Sequence, residues 1–401
     1  MASRRERIAA RLGMCLVAAM AIAGVGVVAR VPADAGSPSA LRAAVTYVAR
    51  DLGTLGGIQA IGKAINDRGQ VAGSSRTDAH TRHAFRWTAR GGMRDLGTLG
   101  GDDSDAAAIN ERGQVTGVAD TAGGQAHAFL WGPRRGMRDL GTLGGSSSAG
   151  AAVNDLGQVV GTANTAAGES HAFLWTPGRG MWDLGTLGGD TSAAVAVNDV
   201  GQVAGWATTA SGLAHAFRWT PEHGMRDLGT LQGGKESWAV AINSRGQVAG
   251  ESLIRKKRPA DRAGRAFRWT PAGGMQNVGI GFGYSRAIAL NDRGQVAGVV
   301  ATPGCCHAFR WTPGRGLRVL GHRGIDSYVN AMNSRGYVVG ADDSVTREGA
   351  FVWTSRGGMQ ELGTLGGQTS EAFAINDEGQ VTGVAATKHA GWHAIEWVPR
   401  R

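Results

Sequence analysis

Eight copies of one unit constrain this chain more than any other feature it has. Asn66, Asn110, Asn154, Asn198, Asn243, Asn291, Asn333 and Asn376 recur 42–48 residues apart, and each opens an Asn-x-x-Gly-x-Val sequence. Trp87, Trp131, Trp175, Trp219, Trp269, Trp311, Trp353 and Trp397 recur in step with them. Seven of these follow a Phe two positions earlier, and Ile395 takes that place in the last copy. Asp-Leu-Gly-Thr-Leu-Gly-Gly begins at 51, 95, 139 and 183, and returns at 361 with Glu361 in front. It carries one inserted residue over 227–234 and is eroded from 277 and from 319.

Each copy divides into four short β segments with turn residues between them. In the second copy Asp105–Asn110 reads as a first strand. Glu111-Arg112-Gly113 is a tight turn, with Gly113 free to take a left-handed conformation. Gln114–Ala119 reads as a second strand, Ala126–Trp131 as a third, and Met137–Leu143, after a turn at Gly136, as a fourth. His127, Phe129 and Trp131 alternate onto one face of the third. With 66 glycines in 401 residues and these period-two runs, helix is excluded. Four strands in a repeat of this length is a propeller-blade signature. The chain ends agree with it. Thr46–Leu52 is a fourth strand with no first three before it, and the last copy stops at Trp397 after its third. The first can complete the last and close a ring; an open solenoid has no cause for this offset. The expected fold is all-β, an eight-bladed β-propeller over 46–401 closed by its N-terminal strand.

His-Ala-Phe at 83–85, 127–129, 171–173, 215–217 and 307–309, together with Asp-Leu-Gly-Thr-Leu-Gly-Gly, resembles the HAF-repeat family of predicted extracellular bacterial repeat proteins. The resemblance covers nearly the whole chain after its first segment. It implies an extracellular protein and brings no activity and no catalytic residues. Arg265 and Gly349 replace the His in two copies, and the last copy reads His393-Ala394-Ile395.

The start of the chain reads as an address. Arg4, Arg5, Arg7 and Arg11 precede an uncharged, mostly apolar run from Leu12 to Ala29, and Ala33-x-Ala35 is a small-residue cleavage pattern. Residues 1–35 therefore read as a signal peptide, 36–45 as a short linker, and the protein as secreted. Left uncut, the run is long enough to anchor the chain in a membrane; no membrane span is expected after cleavage. Loss of 1–35 leaves 37 Lys and Arg against 30 acids, a formal charge of +7. That basic balance suits anionic surfaces or polymers. Cys305 and Cys306 are adjacent, which permits no disulfide framework and leaves a strained vicinal disulfide or two thiols as alternatives. No cofactor and no metal site is indicated, no nucleic acid is expected for an exported protein, and the chain is read as a monomer.

A residue present in nearly every copy is expected to build the copy. The repeated His (His83, His127, His171, His215, His307, His393) is read as a hydrogen-bonded structural residue beside Phe and Trp. The Asn is read as a turn cap. The Asp of Asp-Leu-Gly-Thr is expected to pair with a neighbouring blade or with the Arg of Phe-Arg-Trp. The Phe/Trp stripe is read as core between blades. Asp102-Asp103-Ser104-Asp105 has oxygens suited to Ca²⁺ but lacks an EF-hand's spacing.

Comparing the copies with one another points to one face. The Asn-x-x-Gly turn and the turn before Met barely vary, whereas the connections at 101–106, 189–193, 232–238, 279–286 and 321–328, and at 74–82, 119–126, 251–264 and 299–306, vary freely. Alternate connections of a blade emerge on the same side, so the variable ones share a face, and binding residues favour loops on a rigid scaffold. The candidate ligand-binding residues there are Lys235, Trp238, Arg255, Lys256, Lys257, Arg258, Tyr284, Arg286, His322, Arg323, Asp326 and Tyr328. Aromatics beside charges suit a carbohydrate or peptide groove, and the basic run suits phosphate, sulfate or carboxylate polymers. The expectation is a secreted, non-enzymatic propeller that binds a glycan, an anionic polymer or another cell-surface protein, with no catalytic residue assigned. The alternative is a secreted glycan-processing lyase or hydrolase using Glu236, Asp326 or Glu371.

Overall fold

A computed structural model describes residues 45–254, 263–280, 283–302, 305–321, 326–343, 348–389 and 391–400. Among them every regular element is a strand, and the strands are numbered β1–β32 in chain order, from β1 (Tyr47–Gly53) to β32 (Trp392–Pro399). The second copy supplies β6 (Gly100–Ile109), β7 (Val115–Thr121), β8 (Ala126–Gly132) and β9 (Gly136–Asp139), which pair in that order as one antiparallel sheet. Five further four-stranded sheets repeat the pattern over 144–183, 188–227, 234–277, 285–319 and 326–361.

One boundary differs from the sequence reading. The fourth strand stops at Asp139 after four residues, and Gly144 already belongs to the next first strand, which runs ten residues to Val153. The Asp-Leu-Gly-Thr-Leu stretch is therefore mostly connection. The residues read as the variable fourth-to-first loops lie in good part on the upper ends of inner strands.

The remaining strands form one eight-stranded sheet. Its two halves are β2 (Gly56–Ile65) to β5 (Gly92–Asp95), and β30 (Gly366–Ile375), β31 (Val381–Thr387) and β32 with β1. A single parallel bridge, Gln59↔Trp392, joins the halves. β1 lies antiparallel on β32, from Tyr47↔Pro399 to Gly53↔Ala394, so the first strand does complete the last set. A half-buried ion pair fastens this seam: Glu396, fully buried, accepts from the half-exposed Arg50 Nη1 at 3.0 Å and from Gln380 Nε2 at 2.9 Å. Burial raises the Glu396 carboxyl above the usual range, against the pull of Arg50.

The hairpin turn shows why the repeat keeps its Gly. Asn110 O accepts from Gly113 N–H at 2.9 Å, and Gly113 sits at φ 70, where a side chain would strain the backbone. The second-strand glycine has another cause. A Cβ on Gly117 would lie 1.9 Å from the Asp105 carbonyl, because β6 bulges between Ala106 and Ala108.

The core sits between sheets. Phe129 and Trp131 pack on Ala72, Ala84 and Leu96 of the preceding sheet, and the same grouping recurs around the molecule. Each buried ring removes roughly 150–250 Å² from water. A serine of each later first strand staples sheets together: Ser104 Oγ accepts from Ala84 N–H at 2.8 Å and donates to Gly97 O at 2.6 Å. Packing follows chain order from sheet to sheet and returns from β30 to β2.

Candidate functional site

The repeated asparagines do more than cap their own turns. Asn66 Oδ1 accepts from the N–H groups of Arg68 and Gln70, and its Nδ2 donates across to Asn110 O. The same cross-sheet bond runs from Asn110 to Asn154, and on through Asn198, Asn243, Asn291, Asn333 and Asn376 back to Asn66, at 2.8–3.1 Å. The result is a closed circle of eight bonds. The next residue adds a second, incomplete circle, in which a carboxylate accepts the backbone N–H of the sheet before it, as Asp155 does from Glu111 N–H at 2.8 Å. These groups, with the aliphatic residues that precede each Asn, line an axial cavity of about 450 Å³ on the invariant face. Burial, together with Asp67 and Asp155, raises the Glu111 carboxyl.

The repeated His pairs with the repeated Asp, a pairing the sequence reading did not foresee. Nδ1 of His83, His127, His171, His215 and His393 lies 2.8–2.9 Å from Asp95, Asp139, Asp183, Asp227 and Asp51. The Asp therefore pairs neither with a neighbouring sheet nor with the Arg of Phe-Arg-Trp. Antiparallel register decides this, since Phe129 faces Asp139 and brings His127 to the end of that strand. The arginines instead cover the next sheet's indoles: Arg86 lies 5.5 Å from the Trp131 ring and Arg310 4.5 Å from Trp353.

The variable residues are partly brought together. Arg255, Lys256, Lys257, Arg258, His322 and Arg323 lie outside the described residues. Lys235 is exposed on β18 (Gly234–Ile242). Trp238 lies on the same strand, as the register partner of Glu251 on β19 (Val248–Ile254). Glu251 reaches Arg286 of the next sheet, Oε2 to Nε 3.7 Å, and takes a hydrogen bond from Tyr284. The Glu251 side chain is only 13% exposed, and burial pushes its carboxyl up to about 7, against the pull of Arg286 and Tyr284. Trp238, Glu251, Tyr284 and Arg286 thus form one wall between two sheets, near their variable ends.

Glu251 was missed in the sequence, although a signal existed. The matching position holds Ser74, Val118, Thr162, Trp206, Val299, Ala341 and Val384, so it is the one acid in the series. Asp326 and Tyr328 stand one sheet further on, and Asp326 Oδ1 accepts from Cys306 N–H at 2.6 Å. Glu371 accepts from Asn330 Nδ2 at 3.1 Å. Asp103 and Asp105 lie on a strand, not in an ion-binding loop. Asp103 accepts from Arg82 N–H at 2.7 Å, and Asp105 pairs with Lys63. Cys305 and Cys306 form no disulfide.

A ring of antiparallel sheets with its first strand sewn onto its last is a β-propeller, and that class is what the fold defines. No family model and no curated protein matches the chain. Solved structures do. Dipeptidyl peptidase 4 of Porphyromonas gingivalis is similar over 86% of this chain and 58% of its own, at TM-score 0.55 and 11% identity. The β-propeller domain of the trilobed protease of Pyrococcus furiosus, described as having an open Velcro topology, covers 75% of this chain and 94% of its own at TM-score 0.49 and 8% identity. Acylaminoacyl peptidase of Pyrococcus horikoshii covers 81% and 57% at TM-score 0.47 and 10% identity. The chain spans less than two thirds of both longer peptidases. The expectation of a non-enzymatic binder of glycans or anionic polymers, with a glycan-processing enzyme as its alternative, is corrected on this finding. Dipeptidyl peptidase 4 is a peptidase, and at 11% identity the likeness to it shows a shared propeller fold.

Proposed function

We propose that this protein is an exported, hydrolase-related propeller of eight blades and a HAF-repeat protein, and that it holds the free amino end of a peptide at Glu251. Eight is supported by the closed circle of eight asparagine bonds and by the division of the large sheet at its single parallel bridge. Export rests on the Arg-led apolar start of the chain and on Ala33-x-Ala35.

The observation that carries the peptide reading is the wall itself. One carboxylate stands where other copies carry no acid. It is flanked by Trp238 and Tyr284, with Arg286 only loosely engaged at 3.7 Å. An ammonium group placed there gains a charge-assisted bond to Glu251, and the aromatic faces cover the side chain behind it. Arg286 remains available to a peptide carbonyl. The name of the similar dipeptidyl peptidase 4 supports peptides as the substrate class.

The test measures binding and cleavage of peptides with free and with acetylated amino ends by the full chain. Free-amine peptides should bind best between about pH 7, where Glu251 ionises, and about pH 8, where an α-amine loses its proton. Glu251→Gln and Trp238→Ala should each weaken that binding. Equal binding of acetylated peptides, or an unchanged Glu251→Gln, defeats the proposal.

A further inference from the structure

Three sheets lack the His–Asp pair, and one of them keeps its His while losing the Asp. In β24 (Cys305–Thr312) His307 occupies the repeated position, but its partner strand β25 (Gly316–Val319) places Val319 opposite Phe309, where the four other His-Ala-Phe copies place Asp opposite Phe. His307 is 7% exposed, and its Nδ1 is buried without a hydrogen-bond partner. At the other nitrogen the change is a gain. His83 Nε2 meets Thr81 Oγ1 at 3.4 Å, whereas His307 Nε2 meets Cys305 Sγ at 3.0 Å. Residues two apart on a strand share a face, so the thiol and the ring belong to one side of β24. Cys306 belongs to the other. Its N–H is bonded to Asp326 Oδ1 at 2.6 Å, which fixes the strand that carries the pair.

We propose that Cys305 is a nucleophilic thiol, with His307 as its base, that accepts an acyl group from an activated ester. A nucleophile and a base in hydrogen-bond contact are the minimum for covalent acyl transfer. His307 takes the proton as the thiol attacks. The step balances. The Cys305 S–H proton passes to His307 Nε2 while sulfur bonds to the carbonyl carbon. The carbon–oxygen bond to the leaving group breaks, and that oxygen takes the proton from His307. Water then adds to the thioester, releasing the acid and returning a proton to sulfur. This activity goes beyond peptide holding and does not rest on it.

The probe is p-nitrophenyl acetate, added to the full chain. We expect a burst of one equivalent of p-nitrophenol, with the acetyl group mapped to Cys305 by mass spectrometry. Cys305→Ser should abolish the burst, and Cys306→Ser should keep it. His307→Gln should slow it at least ~100-fold, the low end of what a positioned general base contributes. Val319→Asp, which restores the acceptor present in other copies, should speed it. Acetyl on Cys306, or a burst indifferent to His307→Gln in a variant that melts like the parent, overturns the proposal.

Discussion

Replacing Glu251 with Gln should reverse part of the protein's dependence on pH. Burial raises this carboxyl from an ordinary 4.5 to about 7 in the folded chain. Between those values the folded protein keeps a proton that the unfolded chain has released, so stability falls as pH rises through the window. At 1.36 kcal/mol per pKa unit, the shift amounts to about 3 kcal/mol, fully lost above pH 7. The side chain is 13% exposed, so solvent screening reduces this only modestly. Gln keeps the shape and does not titrate. The variant minus parent difference should therefore grow by about 3 kcal/mol in the variant's favour from pH 4.5 to pH 8. At a melting entropy of roughly 2.1 cal/mol/K per residue, strands spanning 47–399 give about 4–5 °C. Paired denaturation series across that pH range measure it, and other acids cancel in the difference. Parallel curves would refute the buried, near-neutral carboxyl and the peptide site built on it.

Other outcomes follow from the seams and rings. Deleting 45–53 removes β1 and exposes the edge of β32, so the protein should lose cooperativity in calorimetry and aggregate more readily; an unchanged melt would sever closure from stability. Asn154→Ala removes a part-buried cap and the buried bond to Asn198 O, and should cost about 1–3 kcal/mol in urea titration. His171→Ala breaks a pair whose Asp183 is 41% exposed, so the loss should stay below about 1 kcal/mol, and chelator should not move the melting temperature of the parent.

Fold was legible in this sequence because the repeat reports it eight times. A single copy of Asn-x-x-Gly or Phe-x-Trp says little. In register they fix the strand count, the hairpin turn and the core stripe, and the offset at Thr46–Leu52 announces the closing strand. Small errors were local. Leu140 and Leu143 look like strand residues, so the sequence extends the fourth strand past Asp139, whereas Leu140 is buried in a connection.

Partners of the repeated polar residues were not legible, since they depend on register and on the neighbouring sheet. His127 finds Asp139 because two strands meet at Phe129, and Asn66 finds Asn110 because two sheets meet at the axis. The same holds for the candidate site. Trp238, Tyr284 and Arg286 stood out in the sequence as departures from the repeat. Glu251 is a departure of the same kind, but its role appears only when β19 and the next sheet's Arg286 close over it. Cys305 looked like half of a Cys-Cys pair. Strand alternation sets it instead beside His307, and only the loss of an aspartate on the adjoining strand leaves that imidazole free of its usual partner. Periodicity alone determined what repeats, because every copy carries the same local chemistry. Which exceptions meet was decided by tertiary packing, because their distances are set by sheets far apart in the chain.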